Sequence, residues 1–284
     1  MSGEDPLLDE EFIRVLAIDD EYVANAARNV NREFVRYHEA FGGDPVDAPM
    51  CRALNGETVR RHIAMHIGAF QRLQGVRIME HLVDFGDALR RRRVLSAALS
   101  GRSLLETAAA VVFVEENAAR LLSEQHHERL LDELHRWYMG GRFDWIGAPD
   151  LDADRERMRV YTSGKEPSIP EDRKATNVLT LIPRLDRRLH ATMQTQGIDN
   201  DVEGSVIRVA YAMLSDLCHP ATGTAILYTQ PGATPGWVTM RSTADDRALR
   251  WFFWNVGLII APIAREARKS LGALGELADT VSDA

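Results

Sequence analysis

The chain has 284 residues, of which 45% are hydrophobic and 27% charged, enough to bury a sizeable core and ordinary for a globular protein. Its formal net charge of -8 argues against a broad electrostatic grip on nucleic acid, though a local basic groove is still compatible with it. Cys51 and Cys218 are the only cysteines, which excludes a disulfide framework and a multi-cysteine zinc site and fits a reducing cytoplasm.

In chain order, the acidic start (residues 1–6) has neither a basic nor an apolar region, so no secretory signal is expected there. Over residues 21–40, Tyr22, Val23, Ala26, Val30, Phe34 and Tyr37 recur at helical spacing, which predicts an amphipathic helix. Gly42, Gly43, Asp44 and Pro45 end it. A long periodic stretch follows from Asn55 to about Arg93. Its closing run, Arg90 to Arg93, reads as a solvated helix junction or as a phosphate contact. Residues 95–122 have the Ala, Leu and Val content of a central, buried helix. Residues 123–139 continue as a charged, exposed helix that Gly140 and Gly141 stop. Residues 148–172 hold Pro149, Gly164, Pro167 and Pro170 among many charges and predict an internal loop or lid. Neither half alone looks like a complete core, so a single helical domain over residues 1–284 is expected. Residues 174–194 read as helical pieces broken or kinked at Pro183, and residues 203–218 as a further helix.

After Pro220 the character changes. Residues 225–228 and 237–240 are short β-prone runs around two Pro-Gly pairs, which predicts a small hairpin near residues 222–242. Thr243 is expected to cap a last long helix with Asp245 and Asp246 in its first turn. Leu249, Phe252, Phe253, Val256, Ile260 and Ile263 form its core face. The aromatic run Trp251 to Trp254 reads as core in preference to a ligand-pocket lining. Residues 251–264 are the longest apolar run, broken by Asn255 and Pro262 and too short to span a bilayer; no membrane partner is expected. Residues 274–284 read as a flexible tail. The sum is an all-α, multi-helix bundle with one small hairpin, and the long apolar last helix makes a homodimer the expected assembly.

The chemistry concentrates in two helices. Tyr211, Ser215 and His219, at i, i+4 and i+8, share a face of an otherwise apolar helix, and such polar groups need partners. His219, just before Pro220, either complements the last carbonyls of its helix or acts as a general acid or base near neutral pH. Arg102 and Glu106 form either a surface i,i+4 ion pair or, given the apolar residues around them, a half-buried pair that needs Ser215, Tyr211 or His219. A metal reading exists as well. Glu124 with His127, and Asp216 with His219, have the carboxylate–His spacing of di-iron bundles, and Glu106 and Glu116 would be the bridging carboxylates. Against it, His126 and His127 lie in a charged, solvated run, and His62 with His66 lacks a third ligand. No metal and no other cofactor is expected. Phosphate-binding glycine loops, dinucleotide fingerprints and nucleophile elbows do not occur.

The Arg-Ser-Leu-Leu-Glu sequence at residues 102–106 and the Tyr-x-x-Leu-Ser-x-x-x-His-Pro sequence at residues 211–220 resemble a family of helical bacterial proteins labelled DUF5677, distantly related to the HEPN superfamily. The resemblance covers the chain from about Arg90 to the last helix. It implies a helical bundle with Arg102, Glu106, Tyr211, Ser215 and His219 as a shared polar cluster, and RNA as a partner, either cleaved or only bound. Active HEPN ribonucleases use Arg-x(4–6)-His on one helix, the His moving the proton at the ribose 2′-hydroxyl and the Arg stabilising phosphorane charge. Arg32 with His38, Arg61 with His66, Arg129 with His135 and Arg184 with His190 have that spacing. The Ser215–His219 helix departs from it, because Arg208 stands too far before His219. The expected function is therefore a cytoplasmic protein that binds RNA or another phosphate-bearing ligand at the cluster. If it is catalytic, His219 is the acid/base group and Arg102 the anion stabiliser. The competing expectation is a non-catalytic interaction or small-molecule-binding protein whose cluster only fixes helix register.

Overall fold

The computed structural model describes residues 6–43, 59–139, 180–195, 205–219, 225, 227–235 and 237–283. The fold is the expected all-α bundle with one two-stranded antiparallel hairpin. The expected loop at residues 148–172 lies outside the described residues, as do Gly140 and Gly141.

An opening helix that the sequence reading passed over, α1 (Glu10–Ala17), starts where Asp9 accepts the Phe12 N–H at 2.8 Å. Helix α2 (Glu21–Phe41) is capped by Asp20 and buries Val23, Ala27, Val30, Phe34 and Tyr37, a stripe at helical spacing. Tyr22, expected on that stripe, is exposed. Helices α3 (Val59–Arg90) and α4 (Val94–Ser123) are long, and Arg92 turns between them at φ 57°. The expected continuation of α4 is a separate helix, α5 (His127–Met139), set off by Gln125 at φ 60°. In α6 (Ile182–Thr195) Pro183 sits in the first turn. There it has no intrahelical N–H to lose, so it opens the helix where the sequence predicted a break.

Helix α7 (Val206–Cys218) follows, then strands β1 (Thr229–Pro231) and β2 (Val238–Met240). The expected first strand, residues 225–228, lies just before the observed one. The cap of α8 (Asp246–Phe252) is Asp245, whose carboxylate accepts the Ala248 N–H at 2.9 Å; Thr243 is not the cap. A π-helical turn (Phe253–Gly257) joins α8 to α9 (Leu258–Asp283). The expected core face is buried throughout, but the aromatic run divides: Phe252 and Phe253 are fully buried while Trp251 and Trp254 are exposed. The expected free tail continues α9 through Asp283 and buries Leu274 and Val281.

Two compact units emerge from the packing. The first comprises Met1–Pro45, Arg72–Glu115 and Val178–Ala273. In it, Leu104, Leu105, Ala108, Val111 and Val112 of α4 are fully buried, each leucine contributing about 2 kcal/mol of apolar burial. Helix α4 is long and apolar enough to cross a membrane by length and composition alone, and most of its apolar window is buried, as in any core helix. A second stabilising device is polar. Glu33 is 0% exposed and accepts from Arg36 at 2.7 Å, Arg268 at 3.0 Å and Arg265 at 3.3 Å. Glu266, also buried, pairs with Lys269 at 2.7 Å and accepts from Thr192 at 3.2 Å. Arg188 donates to Ser270 at 2.6 Å and pairs with Glu115. Together these tie α2, α4 and α6 to α9.

The second unit comprises Val46–Gln71, Glu116–Asn177 and Leu274–Ala284. There His62 and His66 are buried with their rings edge to face, centroids 4.8 Å apart, and α5 buries Leu130, Leu131 and Leu134.

Candidate functional site

The site lies in the first unit, between α4 and α7. Helix α7 starts on two carboxyl and hydroxyl caps. Ser205 Oγ accepts the Arg208 N–H at 2.9 Å, and Asp186 of α6 accepts the Ile207 N–H at 3.2 Å. Ile207, Ala210, Leu214 and Leu217 form its buried stripe, which turns Tyr211 and Ser215 toward the edge of the core. On α4, Gly101 is buried where the helix passes α7 and α9. Its Cα is the point where a Cβ would meet Ile260 and Leu214 at 3.4 Å and Phe85 at 3.6 Å. The next residue, Arg102, therefore leaves α4 just where α7 passes.

Arg102, Glu106 and Tyr211 close a triangle of hydrogen bonds. Arg102 Nε donates to Glu106 Oε1 at 3.0 Å and its Nη2 to the Tyr211 hydroxyl at 3.3 Å. The hydroxyl donates onward to the same Glu106 oxygen at 3.1 Å. The guanidinium also lies 5.4 Å from the Tyr211 ring centroid, within cation–π range. Arg102 and Glu106 side chains are each 30% exposed, so the triangle is reachable from solvent. Burial works against the Arg102 charge, but the bonds to Glu106 and Tyr211 outweigh it and hold its pKa above the usual value.

The three bonds leave out the other two expected members. Ser215 is half-buried on the same helix. His219 is exposed at the C-cap, where its backbone N–H donates to the Ser215 carbonyl at 3.1 Å. Two residues that the sequence reading did not assign to the cluster lie close by. Cys218 is within hydrogen-bond reach of the Arg102 guanidinium; burial raises its thiol pKa, and the arginine only partly offsets this, so the thiol is protonated at neutral pH. His81 of α3 feels the Glu106 carboxylate, and its Nε2 is buried with no hydrogen-bond partner among the described residues. Burial, then the charge of Arg77, lowers its pKa against the pull of Asp84, Glu80 and Glu106, so the ring is neutral at pH 7. No spacing pattern marks His81, which reaches the site through helix packing alone.

The arginine–histidine pairs of ribonuclease spacing stay on their own helices. Arg32 and His38 lie on α2, Arg61 and His66 on α3, and Arg184 and His190 on α6; the side chain of His135 lies outside the described residues. His66 is fully buried, which removes it from any solvent-borne substrate. Among the described residues, no group of three or more His, Cys, Asp or Glu side chains is placed to hold a metal ion. Glu124 lies 3.7 Å from His126 at the exposed turn between α4 and α5. In comparisons with known proteins, no family model, no curated protein and no solved structure matches this chain.

Proposed function

We propose that this chain is a cytoplasmic, HEPN-like helical protein that binds RNA without cleaving it, with Arg102 as a phosphate contact. The supporting observation is the way Arg102 is held. Glu106 and Tyr211 take its Nε and Nη2, Cys218 lies within hydrogen-bond reach of the same guanidinium, and the side chain still keeps 30% of its surface open to solvent. A planar guanidinium presents donors in a fork that matches two phosphate oxygens. An arginine already fixed in place gives up less side-chain freedom when the ligand arrives. Cleavage asks for more: a proton-transfer group within hydrogen-bond reach of the same phosphate's ribose. His219 stands exposed at the end of α7, and the Cys218 thiol is protonated, so binding is the reading the site favours.

A specific observation favours a second reading. The triangle joins Arg102 and Glu106 of α4 to Tyr211 of α7, as an interhelical clamp would. The two readings part in one experiment. Anisotropy of a labelled single-stranded RNA 20-mer is titrated with wild type, Arg102→Ala and Tyr211→Phe, with thermal melts and RNA gels alongside. Loss of binding in Arg102→Ala beyond fivefold, with intact RNA throughout, supports the binding site. Unchanged affinity with a lowered melting temperature leaves only the clamp.

A further inference from the structure

The hairpin and the arginine run at the α3–α4 junction form one surface. The β1–β2 register pairs Thr229 with Met240 and Pro231 with Val238. Bonds from Gly232 N to Trp237 O at 2.9 Å and from Arg241 N to Tyr228 O at 2.7 Å extend the ladder at both ends. Opposed residues in an antiparallel pair share a face, and alternate residues along a strand share it too. Trp237, Thr239 and Arg241 therefore line one face, with Tyr228 and Gln230 across from them. That face is anchored to the bundle: the Tyr228 hydroxyl accepts the Leu95 N–H at 3.2 Å, and Ala244 N donates to Arg92 O at 3.0 Å.

At its base Arg241 opens into a cleft of about 600 Å³ that Arg92, Thr243, Asp245, Asp246 and Arg247 also line. Arg92 pairs with Asp246, Arg241 with Asp245 at 3.3 Å, and Arg90 and Arg91 share Asp87. Arg93 and Arg247 are exposed and form no ion pair among the described residues. Six arginines thus face three carboxylates, in a chain whose net charge is -8. At the far end Trp237 is 72% exposed, about 13 Å along the strand from Arg241 at the usual rise per residue.

We infer that this face binds single-stranded RNA, the arginines contacting phosphates and Trp237 stacking on an unpaired base. A basic strip leading to an exposed aromatic ring is what binding of an unpaired strand asks for, since a duplex offers no free base face. Thr239 and Gln230, paired across the strands between Trp237 and Arg241, supply hydrogen-bonding groups that a ribose 2′-hydroxyl can pair with and a deoxyribose cannot, which favours RNA over DNA. The inference rests on the RNA-binding reading above and assigns the strand a separate surface, so variants of each surface tell the two apart.

The test is anisotropy of the full chain with a labelled single-stranded RNA 20-mer, the matching DNA 20-mer and an RNA duplex, with light scattering of each variant. Trp237→Ala is expected to weaken RNA binding about tenfold to a hundredfold, Trp237→Phe to restore most of it, and the Arg241→Ala, Arg247→Ala pair to flatten the salt dependence. Wild type should prefer single-stranded RNA to both other probes. RNA binding that Arg102→Ala abolishes and these variants leave intact overturns the hairpin surface and keeps the Arg102 site. The reverse pattern keeps the surface and drops that site. No RNA binding at all overturns both. A change of oligomeric state in Trp237→Ala, with RNA affinity unmoved, makes the face a protein contact and overturns the inference.

Discussion

Tyr211 contributes one oxygen to the site, and that oxygen both accepts from Arg102 and donates to Glu106. Tyr211→Phe keeps the ring over the guanidinium and removes both bonds. The cost is expected to be about 1 kcal/mol, read as a lower urea midpoint with an unchanged slope. An unchanged midpoint would mean that water replaces the hydroxyl without loss. His81 gives a pH dependence of fixed sign. Its folded pKa lies below the value of about 6.5 that it regains on unfolding. As the pH falls below 6.5 the unfolded chain takes up the proton first, so stability that is complete above 6.5 is lost as the pH falls through the lower folded value. Melting curves between pH 5 and 7.5 should therefore drop on the acid side. His81→Gln, which does not titrate, should reduce that drop, and an identical profile in the variant would assign it to carboxylates elsewhere. Of these residues, Arg102, Glu106 and Tyr211 were legible in the sequence because i,i+4 polar pairs on apolar helices stand out. His81 was not, because only the approach of α3 to α4 gives it a role.

At the scale of the helix, Glu33 holds the most charge in the least space. Its side chain is 1% exposed and faces three guanidinium groups from α2 and α9. Removing one member of such a buried network leaves the others uncompensated. Glu33→Ala is expected to cost about 3–5 kcal/mol in urea unfolding, far more than the same change at the exposed Glu39. A cost near that of an exposed residue would show that the arginines turn to solvent freely. The π-helical turn makes a second demand. A Cβ on Gly257 would run into the buried ring of Phe253, four residues earlier. Gly257→Ala should cost about 1–3 kcal/mol through overpacking, visible as a lower melting temperature. Little of this was legible. Apolar periodicity found α2, α4, α7 and the core face of α8 and α9. Yet Arg265, Glu266, Arg268 and Ser270 carry no such apolar signal, and their burial depends on partners that fold back from more than 70 residues away. The same blindness to rotation about the helix axis put Trp251 and Trp254 in the core. The π turn changes the phase between α8 and α9, and no residue type announces it.

For the molecule as a whole, the net charge of -8 sets the terms on which RNA can bind. Beyond about one Debye length, some 10 Å at 0.1 M salt, a polyanion meets an acidic protein and gains nothing from approach. Attraction begins only where local cations outnumber carboxylates, as they do around Arg92, Arg93, Arg241 and Arg247. The composition pointed to this division by excluding a broad basic face while tolerating a local one. It did not place the patch, because residues 90–93 and 241–247 meet only when the hairpin folds back on the α3–α4 turn. A local patch has a local salt signature. Each phosphate neutralised on a single strand adds about 0.7 to the slope of log affinity against log salt. Three contacts then predict a slope near -2, so binding of a single-stranded RNA 20-mer should weaken about twentyfold between 50 and 200 mM salt. A slope of -5 or steeper would require more cations than this corner offers and would move the contact surface elsewhere. A slope near zero would mean that the arginines stay with Asp245, Asp246 and Asp87 when RNA arrives. Stacking on Trp237, which salt barely touches, should persist as the residual affinity at high salt and disappear in Trp237→Ala.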